Sequence, residues 1–360
     1  MFSIPDPNRH WGCRVQDQVT WHGYRALILQ NETLQLVVLV DKGAEIVQCL
    51  YKPLDVDVLW RAPNPLREPG HFAPAGGSQS SSFFDRWSGG WFEVLPNGGP
   101  ACEYKGATLG FYAETINIPW GYRILEDRPE QVTVGLWVET YRTPFLLQKT
   151  LTVKTGQPAL FIEERLTNEG HEAVDFMWGH HPVLGAPFLD ETCRISAPDC
   201  EVEVFHDEDG PDYRMGLHQV GRWPIIKDRN GSPLDLQAVP RHGGNTMDNC
   251  YLKNFAEGWS SIQSQQLNLG FGLAWDANVF RYVWLWQALG GGLGYPWYGR
   301  THNLGIEPWT SYPCAGLTNA IQNGTARQLQ AGESLDAWLT AVMFTDHAVV
   351  RHIARDGSVA

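Results

Sequence analysis

Apolar and polar residues alternate at a period of two through most of this chain, which predicts strands rather than helices. The pattern is plainest in Phe145–Lys154, where Leu147, Leu151 and Val153 alternate with polar neighbours. Gln131–Thr140 precedes it, and the turn Thr155-Gly156-Gln157-Pro158 leads into Leu160–Thr167. Asn168-Glu169-Gly170 then turns the chain into Ala173–Trp178. Strands of about 8–10 residues joined by tight turns predict an antiparallel meander, the unit of a sandwich or barrel. Shorter β runs come earlier, at Arg25–Gln30, Leu34–Val40, Glu45–Tyr51 and Val56–Trp60, parted by Asn31, Gly43 and Pro53. Further runs follow at Leu267–Trp275, Phe280–Gln287, Ala315–Gln322 and Leu335–Phe344. Only Asp346–Arg355 has helical spacing, with Val349, Val350 and Ile353 on one face.

Two stretches escape the pattern. Residues 62–82 hold little but Pro, Gly, Ser and polar residues, a loop long enough to expect a function or mobility. Residues 193–250 are irregular and include His206-Asp207-Glu208-Asp209-Gly210, read as a solvated acidic loop, and Pro240-Arg241-His242-Gly243-Gly244. No repeat or linker divides the chain, so residues 1–360 read as one β domain whose strands need two sheets. The expected fold class is all-β, a large antiparallel sandwich.

Composition narrows the function. Aromatics are abundant, with 16 Trp, beside 37 Gly and 23 Pro, a mixture suited to strands and turns. The net charge of -13 and the lack of any Lys/Arg cluster argue against nucleic acid or anionic membrane as partners. The first residues have no basic start followed by an apolar run, and no window could span a bilayer, so a cytoplasmic protein is expected. Seven scattered Cys without a C-x-x-C pair indicate neither a disulfide framework nor a zinc site.

Two segments carry candidate chemistry. Gly305-Ile306-Glu307-Pro308-Trp309 sets one carboxylate among apolar and aromatic residues, where it must be paired, hydrogen-bonded or working. A strand-end glutamate facing water is the plain alternative. Trp178-Gly179-His180-His181-Pro182 ends the middle meander with two imidazoles. Adjacent strand residues point to opposite faces, so one metal is not expected to take both. One histidine buried and one exposed is the structural reading, and an acid/base role near neutral pH is the functional one.

Taken with other segments, these resemble the aldose 1-epimerase (galactose mutarotase-like) superfamily. Gly43-Ala44-Glu45-Ile46 with Leu59-Trp60, then Gly89-Gly90-Trp91 through Leu95-Pro96-Asn97-Gly98-Gly99, resemble its opening strand and its glycine-rich sugar-site segment. Gly179-His180-His181-Pro182 resembles its His-Pro segment, Gly305-Ile306-Glu307-Pro308 its "IEP" segment, and Leu329-Gln330-Ala331-Gly332-Glu333-Ser334-Leu335 the turn before its last strand. They occur in the family's order over nearly the whole chain.

The resemblance implies a sandwich with an open face for sugar, Glu307 as general base and His181 as general acid, interconverting the α and β anomers of a free sugar. Arg86, Trp91 and Asn97 sit where the family supplies sugar-binding groups. His180, Trp286, Gln287 and Arg300 complete the expected binding set, and Trp284, Trp297 and Trp309 are further candidate platforms for a pyranose face. His302 is expected to be structural. The reaction moves protons alone and needs no cofactor and no metal. The expected partner is a monosaccharide or related sugar, acted on by a monomer or a homodimer. One departure is that Tyr112, in Tyr112-Ala113-Glu114, stands where many mutarotases carry a second histidine. Tyrosine can donate a hydrogen bond but supplies no cation near neutral pH.

Three other functions fit parts of the pattern. A hexose-phosphate epimerase needs several Arg or Lys at the site, for which only Arg86 and Arg300 qualify by position. A non-catalytic carbohydrate-binding protein can use the same fold. A glycosidase needs a second carboxylate facing Glu307, from among Glu93, Glu114 and Asp276.

Overall fold

Antiparallel pairing of the alternating strands builds two large sheets with a shared apolar interior. The computed structural model describes residues 9–70, 79–205, 210, 212–241, 243–346 and 349–360. Most of the acidic run at 206–210, part of the 62–82 loop and His242 lie outside the described residues. The smaller sheet has eight strands and runs from Arg194–Ser196 at one edge to Gly121–Asp127 at the other. It contains the first three strands of the meander predicted from alternation, with Phe145–Lys154 at the expected bounds. The fourth, predicted at Ala173–Trp178, is only Val174–Phe176 and pairs with Arg327–Leu329 outside this sheet. The larger sheet has 14 strands and draws them from both halves of the chain. Among the described residues no helix is long and apolar enough to cross a membrane.

Seven strands position the site. They are β1 (Trp91–Val94), β2 (Phe145–Lys154), β3 (Ala159–Asn168), β4 (Gly179–Gly185), β5 (Thr246–Lys253), β6 (Tyr282–Leu289) and β7 (His302–Trp309). In the larger sheet the order is β1-β4-β7-β6-β5, while β2 and β3 are neighbours in the smaller one. The His-Pro strand and the Glu-Pro strand therefore lie side by side although more than a hundred residues separate them.

Three further predicted elements differ. Within the 62–82 loop and just beyond it the chain forms a helix, α1 (Gln79–Arg86). Its Phe83 stacks on Trp87, four residues on, at 5.4 Å. The predicted strand Ala315–Gln322 is mostly a helix, α2 (Leu317–Gln322). Gly316 turns the chain at φ 85, and the Leu317 N–H donates to Asn97 Oδ1 at 2.7 Å, so a side chain from elsewhere starts this helix. The described part of Asp346–Arg355 is not helical. Val350 and Ile353 are buried there against Trp259 and Phe344, while Val349 is 63 % exposed. Their spacing serves an irregular segment lying on a sheet, whose Arg351 and His352 N–H groups donate to the Ala360 carbonyl.

Candidate functional site

Strand register decides which residues meet. Gly179 pairs with Trp309 and Val183 with Gly305, so His181 of β4 stands opposite Glu307 of β7. Between those pairs the ladder is interrupted, where Pro182 and Pro308 have no N–H to give. The same row continues through Phe92 of β1, Trp284 of β6 and Tyr251 of β5. Period-two alternation puts these five side chains on one face of the larger sheet, away from the smaller sheet.

On that face lies a cavity of about 160 Å³. His181, Glu307, Trp284 and Trp286 line its sheet side, with Met247 and Asn249 from β5. Phe83 and Phe84 close it from α1 and Trp87 from just beyond that helix, Phe111 and Tyr112 from a later loop, Trp297 from the glycine-rich 290–300 segment, and Cys314 from the turn before α2. A larger groove of about 750 Å³ runs over the outer surface of the smaller sheet, lined by exposed pairs such as Arg165–Asp336. Its charged side chains lie along an open surface, whereas His181 and Glu307 meet in the enclosed aromatic cavity, so the smaller cavity is the candidate site.

His181 Nε2 lies 3.4 Å from Glu307 Oε1, with both side chains nearly inaccessible. Glu307 Oε2 accepts from Trp309 Nε1 at 3.1 Å. The His181 ring stacks on Phe92 at 4.4 Å and meets the edges of Trp87, Tyr112 and Trp286. Its Nδ1 is buried and has no hydrogen-bond partner. Burial raises the Glu307 pKa well above the carboxylate range, only partly offset by the Trp309 hydrogen bond. Burial lowers that of His181 to about 3. Both shifts favour neutral groups, so the pair carries one proton, placed on the carboxyl.

Glycines give this arrangement its room. A Cβ on Gly305 would come within 2.5 Å of Glu307 Oε1. One on Gly179 would sit 2.2 Å from Trp309 Cδ2, and one on Gly98 would sit 2.5 Å from Trp309 Cζ3. Trp309 thus fits between two glycines and stacks on Trp284 at 3.7 Å while it donates to Glu307.

The other expected site residues are dispersed by the same register. Trp286 lines the cavity, but its neighbour Gln287 points to the opposite face and accepts from Arg214 at 2.8 Å. His180 also points to the opposite face, where Nε2 meets Glu164 Oε2 at 3.1 Å and Nδ1 accepts from Trp91 Nε1 at 3.3 Å. Both histidines are therefore buried, against the expectation of one exposed. Trp91 belongs to the interior between the sheets. Asn97 is structural, since its Nδ2 donates to the Pro100 and Gly110 carbonyls and its Oδ1 caps α2. Arg86 lies beside Lys42 and Asn117, outside the cavity lining, and Arg300 is exposed. Tyr112 is in the cavity, its Oη 3.4 Å from Cys314 Sγ.

Sequence reasoning missed a charged group behind the site. Lys149 of β2 contacts Glu93 of β1 at 3.0 Å, and Trp178 Nε1 donates to the other Glu93 oxygen at 2.6 Å. Burial alone would raise the Glu93 pKa, but the charges of Lys149 and His180 bring it below the usual range. A signal was present, since Lys149 falls in the apolar phase between Leu147 and Leu151, and Glu164 in that between Ile162 and Leu166.

The fold is that of the galactose mutarotase-like proteins. A candidate aldose 1-epimerase from Klebsiella pneumoniae superposes with a TM-score of 0.71 over 93 % of this chain and 83 % of its own, at 15 % identity. A galactose mutarotase-like protein from Clostridium acetobutylicum gives 0.59 over 93 % and 99 %, at 11 % identity. A galactose mutarotase related enzyme from Lactobacillus acidophilus gives 0.57 over 91 % and 100 %, at 15 % identity. Residues 21–216 match the family described as Domain of unknown function (DUF4432), and the chain belongs to it. No curated protein matches the sequence.

Proposed function

We propose that this protein is an aldose 1-epimerase-like isomerase that interconverts the anomers of an uncharged sugar, with Glu307 and His181 as its proton-transfer pair. The observation that carries this reading is their contact at 3.4 Å within one aromatic cavity. Ring opening removes the O1 proton and protonates the ring oxygen O5. Both oxygens are bonded to C1, so a pair in direct contact can address them from one side, and the groups need not flank the ring. The shared proton first passes from the Glu307 carboxyl to His181, and Glu307 then takes the O1 proton while His181 delivers its own to O5. The C1–C2 bond then rotates, and the pair returns both protons on closure. One proton shared by the pair suffices, and the pair ends each cycle as it began.

Among the described residues no lysine or arginine lines the cavity, which supports an uncharged sugar over a sugar phosphate. The carboxylates considered for a glycosidase are engaged elsewhere. Glu93 faces the interior, Glu114 accepts the Tyr141 and Arg142 N–H groups at 2.7 Å, and Asp276 accepts from Asn278 at 2.9 Å. The test is proton NMR of freshly dissolved pure α anomers. Failure of every sugar in a broad panel to equilibrate faster than the buffer rate would remove the reading, and saturable binding without catalysis would favour a carbohydrate-binding protein.

A further inference from the structure

The walls around the proton-transfer pair limit which sugar it can serve. When His181 addresses O5, the carbon substituent C6 lies two bonds away and falls against the surroundings of that imidazole. Those surroundings are Phe92 at 4.4 Å, Trp87 and Tyr112 at 5.5 Å, and Trp286 at 6.1 Å, centroid to centroid. Several polar atoms nearby are already committed. The Trp87 indole donates to the Gly89 carbonyl, and the Tyr112 hydroxyl is held against Cys314.

The polar inventory leads to the same place. A hexopyranose presents five hydroxyls and a ring oxygen, of which the pair takes O1 and O5. Beyond that pair, the polar side chains of the described lining are Asn249, Tyr112, Cys314 and the tryptophans, of which Trp87 and Trp284 donate their indole N–H groups to the Gly89 and Ser311 carbonyls. Asn249 Nδ2 already donates to Tyr251 Oη at 3.2 Å, and its Oδ1 is buried without a partner, which leaves one acceptor for a substrate hydroxyl. Cys314 offers only a weak partner. Four remaining hydroxyls exceed the Asn249 acceptor and the Trp286 and Trp297 indole N–H groups, and an unsatisfied hydroxyl inside an aromatic cavity is disfavoured.

We infer that the preferred substrate is a 6-deoxyaldose, in which a methyl group at C5 replaces the hydroxymethyl of a hexose. The inference rests on the anomerisation reading above. The methyl group packs against the rings that surround His181, and the three remaining ring hydroxyls are left to Asn249, Trp286 and Trp297.

The test uses the intact protein and matched pairs of sugars, 6-deoxyglucose with glucose and 6-deoxygalactose with galactose, each as a freshly dissolved pure anomer. Anomer exchange is followed by NMR, and binding by quenching of tryptophan fluorescence. The expected result is a kcat/KM about 10–100-fold higher for the deoxy member, the range in which an apolar pocket discriminates against an added hydroxyl. Equal or faster exchange of the parent hexoses overturns this inference and leaves the isomerase reading standing. Tighter binding of the deoxy sugars with no exchange of any sugar upholds the selection and overturns the reaction.

Discussion

Glu307 and His181 stand opposite each other on neighbouring strands of the larger sheet, 3.4 Å apart, with Pro308 and Pro182 interrupting the ladder beside them. The pair holds one mobile proton between two groups that burial keeps neutral. Glu307→Gln and His181→Asn are each expected to lower the enzymatic rate of anomer exchange about 10²–10⁴-fold. Because the two act as a unit, the double variant is expected to lose little more than either single one. An NMR exchange assay checks both, and full activity in Glu307→Gln would remove the glutamate from the mechanism.

The raised pKa of Glu307 has a sign that stability can report. Its carboxyl keeps a proton in the folded protein at pH values where the unfolded chain, near 4.5, has lost it. The folded state then binds more protons, so this group's contribution falls as pH rises from about 4.5 toward the folded value. Glu307→Gln removes that dependence. Its melting temperature relative to wild type is expected to climb steadily from pH 4.5 upward, at most by the equivalent of about 1.4 kcal/mol per pH unit. A difference in Tm that stays flat between pH 4.5 and 8 would contradict the shift.

His181 gives the opposite slope at lower pH. Its folded pKa of about 3 lies below the ordinary value of 6.5, so the unfolded chain binds the extra proton between them. Stability from this group is therefore lost as pH falls from about 6.5 toward 3. His181→Asn is expected to gain on wild type over that interval in urea titrations run at successive pH values.

Two glycines separate room for chemistry from room for structure. Gly305→Ala would press a methyl group on the Glu307 carboxylate, the free end of a flexible side chain that can swing away from His181. Activity is expected to fall at least about tenfold while stability changes by less than the roughly 1–3 kcal/mol of ordinary overpacking. Gly179→Ala would instead meet the Trp309 ring, held between Gly98 and the Trp284 stack, and is expected to show that full destabilisation. Chemical denaturation beside the exchange assay distinguishes the two.

Behind the site, Lys149→Met leaves the Glu93 carboxylate buried without its cation. The expected loss is about 3–5 kcal/mol. The double variant Lys149→Met with Glu93→Gln is expected to recover part of it. Urea denaturation measures both, and a single variant as stable as wild type would mean that water or another group compensates the charge.

Much of this was legible in the sequence. Alternation in Phe145–Lys154 fixed a strand with the observed bounds, and an acid flanked by Ile306 and Pro308 marked itself as unusual. Alternation also required His180 and His181 to face opposite ways. It could not say which faced the cavity, because that depends on how β4 registers against β1 and β7. A shift by one residue would exchange every side chain between the faces. Trp91, His180 and Gln287 were therefore expected at the site on motif position, and register turned them to the other face of the sheet. Asn97 was assigned to sugar for the same reason, while contacts from distant segments made it the cap of α2. The sequence by itself determined most of the strands, the two-sheet class and the unusual setting of Glu307, since these follow from local period and residue chemistry. Only the tertiary structure decided that Glu307 meets His181 in an aromatic cavity with a charged cluster behind it, because long-range pairing selects which local patterns share a face.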